Sequence, residues 1–135
     1  MGVERFGSGA AWERSFGYSR VVRAGDFVLV AGTTAIDEDG VVRAPGDAAG
    51  QVAAALEAIE AALGDAGARM EQVVQTRMYV TDISRADEIG RAHGERFGEI
   101  APVTSMVQVS ALIDPRMLVE IEAVAYVGEA GDPDG

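Results

Sequence analysis

The chain has 135 residues, enough to bury a core without metals or disulfides, and it contains no cysteine. The absence of cysteine excludes disulfides, thiol catalysis and cysteine-ligated metal centres. A net charge of −11 disfavours nucleic-acid partners, and there is no apolar run of about 18 residues that could span a membrane. We therefore expect one cytoplasmic domain over 1–135, with a less ordered lead-in at about 1–13 and a less ordered tail at 128–135.

The first half of the chain predicts two short strands and a helix. Residues 14–23 predict an irregular segment followed by a strand, and FVLVA at 27–31 predicts a buried strand that ends at Gly32. A glycine directly after a buried strand marks either a bulge or a close approach to the backbone, and a bulge is the commoner case. Asp47 is a predicted N-cap for an amphipathic helix that reaches about Leu63.

The second half predicts a strand, a helix and two further strands. Residues 73–81 alternate apolar and polar side chains, and Ser84 with Asp87 predicts the start of a helix that ends at Gly98. Two stretches of period 2 then fill 101–127, separated by a short break. This order of strands, helix, strand, helix and two strands predicts an α+β domain with both helices on one face of a mixed sheet.

The last two strands are expected to share one apolar face and one mixed face, because alternate residues of a strand point to opposite sides. The mixed face would carry Thr104, Met106, Gln108, Glu120 and Glu122. No helix remains to cover this face in a monomer, and mixed faces of this kind often line clefts or subunit contacts. We expect an oligomer with the site on the uncovered face.

Four segments carry a resemblance to a known family: GYSRVVRAGDFVLVAGTTAID, QTRMYVTDI, HGERFGEI and APVTSMVQVSALIDPRMLVEIEAVA. They resemble the RidA (YjgF/YER057c/UK114) family, formerly the endoribonuclease L-PSP group, from about Phe16 to Val127. The resemblance implies a chorismate-mutase-like fold with a mixed six-stranded sheet, and a homotrimeric barrel with three clefts between subunits. It also implies hydrolysis of reactive enamines and imines, such as 2-aminoacrylate, to a keto acid and ammonia without a metal or an organic cofactor.

The residues of the family's cleft are only partly retained. Tyr18 matches the tyrosine at the cleft mouth, Gly32 the glycine whose backbone borders the ligand, and Glu120 the glutamate that positions the hydrolytic water. Thr104 stands where the family has a carboxylate-binding arginine, and Met106 stands where it has a cysteine. A neutral hydroxyl cannot replace the two charge-assisted hydrogen bonds of a guanidinium. The chain thus resembles a branch that lacks this arginine, and amino-acid-derived imines are expected to bind poorly.

One catalytic and several substrate-binding residues are therefore candidates. Glu120 is the catalytic candidate, and the alternative is a solvated or ion-paired residue of the barrel. Arg77 faces away from the apolar side of its strand, so it would pair with Glu120 or Glu122 or act as a substitute anion clamp. The substrate-binding candidates are Tyr18, Gly32, Thr33, Arg77, Thr104 and Met106.

His93 lies on the apolar stripe of the second predicted helix, which is typical of a hydrogen-bonded core histidine rather than a general base. No second histidine supports a metal site.

Two functions remain open. One is an enamine or imine hydrolase whose substrate preference is altered by Thr104. The other is a non-catalytic trimer that binds a small molecule or a partner protein in the same clefts. The acidic charge disfavours ribonuclease activity.

Overall fold

The computed structural model describes residues 2–128, so all of the predicted tail except Gly128 lies outside the described residues. Two short 3-10 turns, Met70–Gln72 and Ile83–Arg85, accompany the main elements. In chain order these are β1 (Val3–Phe6), α1 (Ala11–Phe16), β2 (Val21–Ala24), β3 (Phe27–Thr33), α2 (Ala48–Asp65), β4 (Val73–Val80), α3 (Ala86–Phe97), β5 (Val103–Gln108) and β6 (Val119–Tyr126). No helix within residues 2–128 is long and apolar enough to cross a membrane.

The six strands form one mixed sheet in the order β1-β2-β3-β6-β4-β5. Neighbouring strands are antiparallel except β4 and β5, which are parallel. Parallel strands need a crossover connection, and α3 supplies it. The predicted α+β class and the mixed six-stranded sheet are confirmed.

Helices α2 and α3 cover one face of the sheet and bury the core. The Asp47 side chain accepts a hydrogen bond from the Gly50 N–H at 2.9 Å and caps α2 as predicted. On α3 the buried residues are those of the predicted stripe: Ile89, Ala92, His93 and Phe97. The inner faces of β3, β4 and β6 supply the opposite side of the core with Val28, Val30, Met78, Val80, Val119, Ile121, Ala123 and Ala125.

The amino-terminal segment is more structured than expected. Residues 2–13 contain regular structure, because β1 pairs along β2 as the edge strand of the sheet and α1 begins at Ala11. Strand β1 has only four residues, VERF, and α1 has six. Elements this short contain too few residues for a hydrophobic period to be read from the sequence.

Strand β5 presents its faces in the orientation opposite to the one predicted. In the parallel register Thr76 pairs with Thr104 and Met78 with Met106, and the buried Thr76 and Met78 face the helices. Thr104 and Met106 therefore face the helix layer, while Glu120 and Glu122 lie on the open face. Val103 and Val107 of β5 are on the open face as well, where they are 66% and 47% exposed.

The open face of the sheet has a polar centre and apolar flanks. Arg77, Tyr79 and Glu122 lie in its centre, and Phe27 packs edge-to-face against Tyr126 on one side with ring centroids 5.3 Å apart. The exposed apolar side chains of this face are Phe27, Leu29, Val103, Val107 and Tyr126. An uncovered surface of this composition is typical of an interface.

Candidate functional site

A pocket of about 530 Å³ lies where β3 ends beside β6, and we call it the Glu120 pocket. It brings together four of the residues expected from the sequence: Tyr18, Gly32, Thr33 and Glu120. The remaining lining residues come from the amino-terminal segment, α2 and two loops: Ser8, Ala10, Trp12, Phe16, Arg20, Ala31, Thr34, Ile36, Ala58, Ala61, Ala62, Asp65 and Ile113.

The Glu120 carboxylate lies against the backbone of Gly32. A Cβ added to Gly32 would be 2.8 Å from both Cδ and Oε2 of Glu120, so no larger residue fits without moving that side chain. The β3–β6 register also shifts between Val30 and Thr33. Both a bulge and a close approach therefore occur at this glycine.

Burial raises the pKa of Glu120 above its ordinary value, and the negative charge of Glu122 raises it further. The positive charge of Arg20 acts in the opposite direction. Glu120 is thus a half-buried carboxylate that holds a proton more readily than a solvated glutamate. A group of this kind is suited to general acid–base chemistry.

Arg20 is a pocket residue that the sequence analysis missed. Its Nη1 donates hydrogen bonds to the Gly32 carbonyl at 3.1 Å and to Thr33 Oγ1 at 3.0 Å. The guanidinium carbon lies 5.9 Å from the centre of the Tyr18 ring. Tyr18 and Arg20 are only two residues apart in the sequence, and this proximity to a residue of the family motif could have indicated that Arg20 lies near the site.

Thr33 supports Arg20 and has little capacity left for a ligand. Its side chain is buried, and its hydroxyl donates to the Ala31 carbonyl at 2.7 Å while accepting from Arg20. A threonine hydroxyl has only one proton to donate. Thr33 thus acts as a positioning residue at the wall of the pocket.

Glu13 on α1 holds Arg20 from the other side. Its Oε2 is 3.8 Å from Arg20 Nε, and its carboxylate accepts hydrogen bonds from the Ser8 N–H at 2.8 Å and from the Ser8 hydroxyl. Burial acts to raise the pKa of Glu13, but the Ser8 hydrogen bonds and the charge of Arg20 outweigh it and leave the pKa below its ordinary value. The amino-terminal segment therefore fixes the orientation of the arginine.

Aromatic side chains of α1 form an apolar wall of the pocket. The Trp12 and Phe16 rings are stacked, with centroids 6.2 Å apart and an interplanar angle of 9°. Their side chains are 45% and 66% exposed. Ile113, from the loop between β5 and β6, also lines the pocket and is 60% exposed.

Arg77 lies outside the Glu120 pocket, in a neighbouring groove on the open face that also contains Glu122. It is directly opposite Glu122 in the β4–β6 register, but the two side chains form no ion pair in the protomer, and Arg77 forms none with Glu120. The expected pairing is thus not found. Instead, the Tyr79 hydroxyl donates to Glu122, and this hydrogen bond, together with burial, raises the pKa of Tyr79.

Thr104 belongs to a polar chain on the helix side of the sheet. The buried Thr76 hydroxyl is 2.8 Å from His93 Nε2 and 2.8 Å from the Thr104 hydroxyl. Burial lowers the pKa of His93, which favours the neutral imidazole. His93 is therefore the hydrogen-bonded core histidine that its position on α3 predicted.

Met106 is also outside the Glu120 pocket of its own protomer. It is partly buried against the core, and its Cε lies 4.0 Å from the position of a Cβ added to Gly90 on α3. Within residues 2–128, no group of three or more histidine or acidic side chains could hold a metal ion.

Comparison with known proteins agrees with this architecture. Residues 9–127 match the family model described as Endoribonuclease L-PSP. The crystal structure of a YjgF/YER057c/UK114 family member from Mycobacterium tuberculosis superposes with a TM-score of 0.84 at 53% identity, covering 93% of this chain and 99% of that chain.

Two relatives known from sequence match most of the chain. An uncharacterized protein from Streptomyces coelicolor is 41% identical over 126 residues, which is 93% of each chain. The 3-aminoacrylate deaminase RutC from Acinetobacter baylyi is 34% identical over 110 residues, covering 82% of this chain and 86% of that protein. The chain belongs to the YjgF/RidA family, as its sequence motifs predicted.

Proposed function

We propose that the protein hydrolyses reactive enamines or imines to a carbonyl compound and ammonia, with Glu120 as the catalytic acid–base group. The position of Glu120 carries this proposal: a half-buried carboxylate with a raised pKa faces a pocket and lies against the Gly32 backbone. The 34% identity to a 3-aminoacrylate deaminase supports the same reaction class.

The chemistry requires one group that both accepts and returns a proton. An enamine first takes a proton from solvent on carbon and becomes an iminium ion, and an imine reaches the same ion by protonation on nitrogen. Water then adds to the C=N carbon while Glu120 accepts a proton from that water, which gives a carbinolamine. Glu120 returns that proton to nitrogen, and the C–N bond then breaks as an oxygen lone pair forms the C=O bond. The hydroxyl proton passes to the Glu120 carboxylate and on to solvent, and the carbonyl compound and ammonia leave. A raised pKa makes Glu120 a better proton acceptor once ionised and a better donor near neutral pH than an ordinary carboxylate.

The substrate preference is proposed to differ from that of relatives with the carboxylate-binding arginine. Thr104 and Met106 face the helix layer of the same protomer and do not line its Glu120 pocket. In the inter-subunit clefts that the family resemblance implies, both would have to come from a neighbouring subunit. We therefore propose a homotrimer in which the apolar flanks of the open face are covered.

A non-catalytic trimer that binds a small molecule is the second candidate. The positions of Thr104 and Met106 favour it, because neither the family's arginine nor its cysteine is present and both replacements face the helices. The Glu120 pocket would then serve only for binding. Activity assays separate the two candidates directly.

The deciding experiment measures product formation from 2-aminoacrylate and from uncharged imines. For an enzyme we expect carbonyl compound and ammonia to appear faster than without protein, and Glu120→Gln to slow the reaction about 100-fold or more. Glu57→Gln is the matched control, because Glu57 is exposed on α2 outside the pocket. No acceleration by a folded parent protein with any of these substrates would favour the binding candidate.

A further inference from the structure

We propose that Arg20 is the anion-binding group of the Glu120 pocket, and that the pocket takes carboxylates that carry an aromatic or large branched group. This inference rests on the proposed function, since it names the substrate class of the same site. It also accounts for how a chain with Thr104 in place of the family arginine can still bind an acidic ligand.

The guanidinium of Arg20 is fixed in place and retains unused donors. Two of its five N–H groups are committed to Gly32 and Thr33, and its Nε is too far from Glu13, at 3.8 Å, for a hydrogen bond. Its Nη2 makes no hydrogen bond within residues 2–128. Every fully buried side-chain nitrogen in that part of the chain has a hydrogen-bond partner, so Nη2 is not fully buried. Nη2 is therefore accessible, and the Arg20 side chain is 20% exposed.

A guanidinium held in this way is prepared for a carboxylate. The hydrogen bonds to Gly32 and Thr33 restrict its rotation before any ligand arrives, so little conformational entropy is lost on binding. Charge-assisted hydrogen bonds from Arg to a carboxylate are roughly twice as strong as neutral ones. The same arrangement would favour a neutral ligand much less.

The charges of the pocket define the orientation of the ligand. Arg20 is the only cationic side chain among the described lining residues, and the carboxylates are those of Glu120 and Asp65. Asp65 is exposed at the end of α2, where solvent screens it. A ligand with its carboxylate on Arg20 would direct its nitrogen towards Glu120, which is the arrangement that hydrolysis of an amino-acid-derived imine requires.

The size and lining of the pocket select the rest of the ligand. A volume of about 530 Å³ lies within the range of roughly 300 to 1,000 Å³ that is typical of sites for drug-sized molecules. The three-carbon skeleton of 2-aminoacrylate would leave most of this volume empty. The stacked rings of Trp12 and Phe16, together with Ile113, offer an apolar surface to an aromatic or branched side chain.

Equilibrium binding tests the inference without any turnover. The probes are 3-phenylpropanoate and 3-phenylpropanamide, which differ only in the carboxylate, and acetate, which lacks the aromatic group. Calorimetry gives Kd, and Trp12, the only tryptophan of the chain, reports occupancy by fluorescence. We expect 3-phenylpropanoate to bind at least about tenfold more tightly than the amide, and acetate to bind more weakly than 3-phenylpropanoate.

Two arginine variants assign the preference to Arg20. In Arg20→Gln we expect the acid and the amide to bind equally well. In Arg14→Gln, which removes an exposed charge of α1 outside the Glu120 pocket, we expect the acid-to-amide ratio to stay unchanged. If Arg20→Gln does not fold, Arg20→Lys takes its place: it keeps the charge but loses the paired donors of the guanidinium, so the acid-to-amide ratio should fall below that of the parent.

Two results would overturn the inference: equal affinity of the parent protein for the acid and the amide, or the same loss of the ratio in Arg14→Gln as in Arg20→Gln. These outcomes are separate from failure of the proposed function. Tight binding of 3-phenylpropanoate without conversion of any imine supports the inference and contradicts the hydrolase. Conversion of uncharged imines, together with equal binding of 3-phenylpropanoate and its amide, supports the hydrolase and contradicts the inference.

Discussion

The carboxylate of Glu120 and the backbone of Gly32 are in direct contact, and the absence of a single side-chain carbon at residue 32 makes this contact possible. The backbone of Gly32 does not adopt a positive φ, so the glycine is needed for space and not for conformational freedom. The position of the proposed acid–base group therefore depends on the size of one neighbouring residue.

Replacing Gly32 should lower the hydrolysis rate strongly while lowering the free energy of unfolding only slightly. In Gly32→Ala the new methyl group displaces the Glu120 carboxylate, and we expect the hydrolysis rate to fall about 10- to 100-fold, since small misplacements of catalytic groups have effects of this size. The free energy of unfolding should fall by no more than about 1 kcal/mol, because the end of a flexible side chain can move aside. Kinetics and urea denaturation measure the two effects.

Gly64→Ala is the matched control. No heavy atom outside its own helix surroundings lies within 4 Å of a Cβ added to Gly64 in α2. We expect an unchanged rate and a gain in stability of at most about 1 kcal/mol from helix propensity. A similar loss of activity in both variants would show that the contact with Glu120 is not the cause.

The pH dependence of the reaction should report the raised pKa of Glu120. As the general base it must be ionised, so the rate should fall on acidification with a midpoint above the ordinary glutamate pKa of 4.5. A pH–rate profile for the parent and for Glu57→Gln, which should coincide, measures this. A midpoint at or below 4.5 would contradict the assignment.

The pH dependence of the free energy of unfolding should also report the raised pKa of Glu120. Because burial and Glu122 raise the pKa of Glu120 in the folded state, the folded protein binds more protons than the unfolded chain between pH 4.5 and the raised value. The contribution of Glu120 to stability is thus present below pH 4.5 and is lost as the pH rises through its folded-state pKa. Urea denaturation at several pH values measures this. As the pH rises across this interval, the free energy of unfolding of Glu120→Gln should increase relative to that of the parent.

His93 should contribute a pH dependence of opposite sign. Burial lowers its pKa below 6.5, so the unfolded chain takes up the proton first, and stability present above pH 6.5 is lost as the pH falls towards the folded-state pKa. Since His93 is the only histidine, its NMR titration needs no assignment. Acid destabilisation between pH 7 and 5 should be weaker in His93→Gln, and equal slopes in both proteins would contradict the prediction.

The sequence allowed most of the sheet and its helical layer to be predicted, because α2, β4, α3 and β6 have apolar periods that match their buried faces. The apolar run of β3 correctly indicated a strand, but Phe27 and Leu29 on its open face are exposed rather than buried in the protomer. It also allowed Tyr18, Gly32 and Glu120 to be grouped, through motifs shared with a family. Strand β5 was assigned the wrong faces for a physical reason. As an edge strand its side chains Val103 and Val107 lie on the open face, so alternation alone does not tell which side meets the core.

Arg20 shows a different limit of prediction. Its role depends on Gly32, Thr33 and Glu13, which are brought to it by strand pairing and by a helix of six residues. No local pattern around Arg20 indicates these partners. Contacts between short, distant segments are set by the tertiary fold. Neither the hydrophobic periodicity nor a local sequence motif therefore reveals them.

Gln51 provides a test of how the loop that carries Ile113 is held. Its buried side chain donates to the carbonyls of Arg116 at 2.9 Å and Ala44 at 3.3 Å, and accepts from the Leu118 N–H at 2.8 Å. Gln51→Leu should lower the free energy of unfolding by about 2 to 4 kcal/mol, because these groups lose their partner. Chemical denaturation measures the loss, and Gln72→Leu, at a site without such long-range bonds, should lose far less.

The proposed homotrimer predicts that the open face is sensitive to charge. Leu29 is 45% exposed on this face, and Leu29→Asp should dissociate the assembly into monomers, whereas the parent sediments as a trimer at micromolar concentration. Val41→Asp is the control, because Val41 is 48% exposed but lies outside the sheet. A monomeric parent protein would contradict the prediction.

The division of the Glu120 pocket between two parts of the chain affects how its selectivity can change. The carboxylate of Glu120 is fixed by a central strand, whereas the aromatic wall and the support for Arg20 come from residues 8–16, at the periphery of the fold. Substitutions in this short segment alter the shape of the pocket without disturbing the hydrophobic core. Transplanting residues 8–16 between family members is thus a direct route to new ligand specificities on an unchanged core.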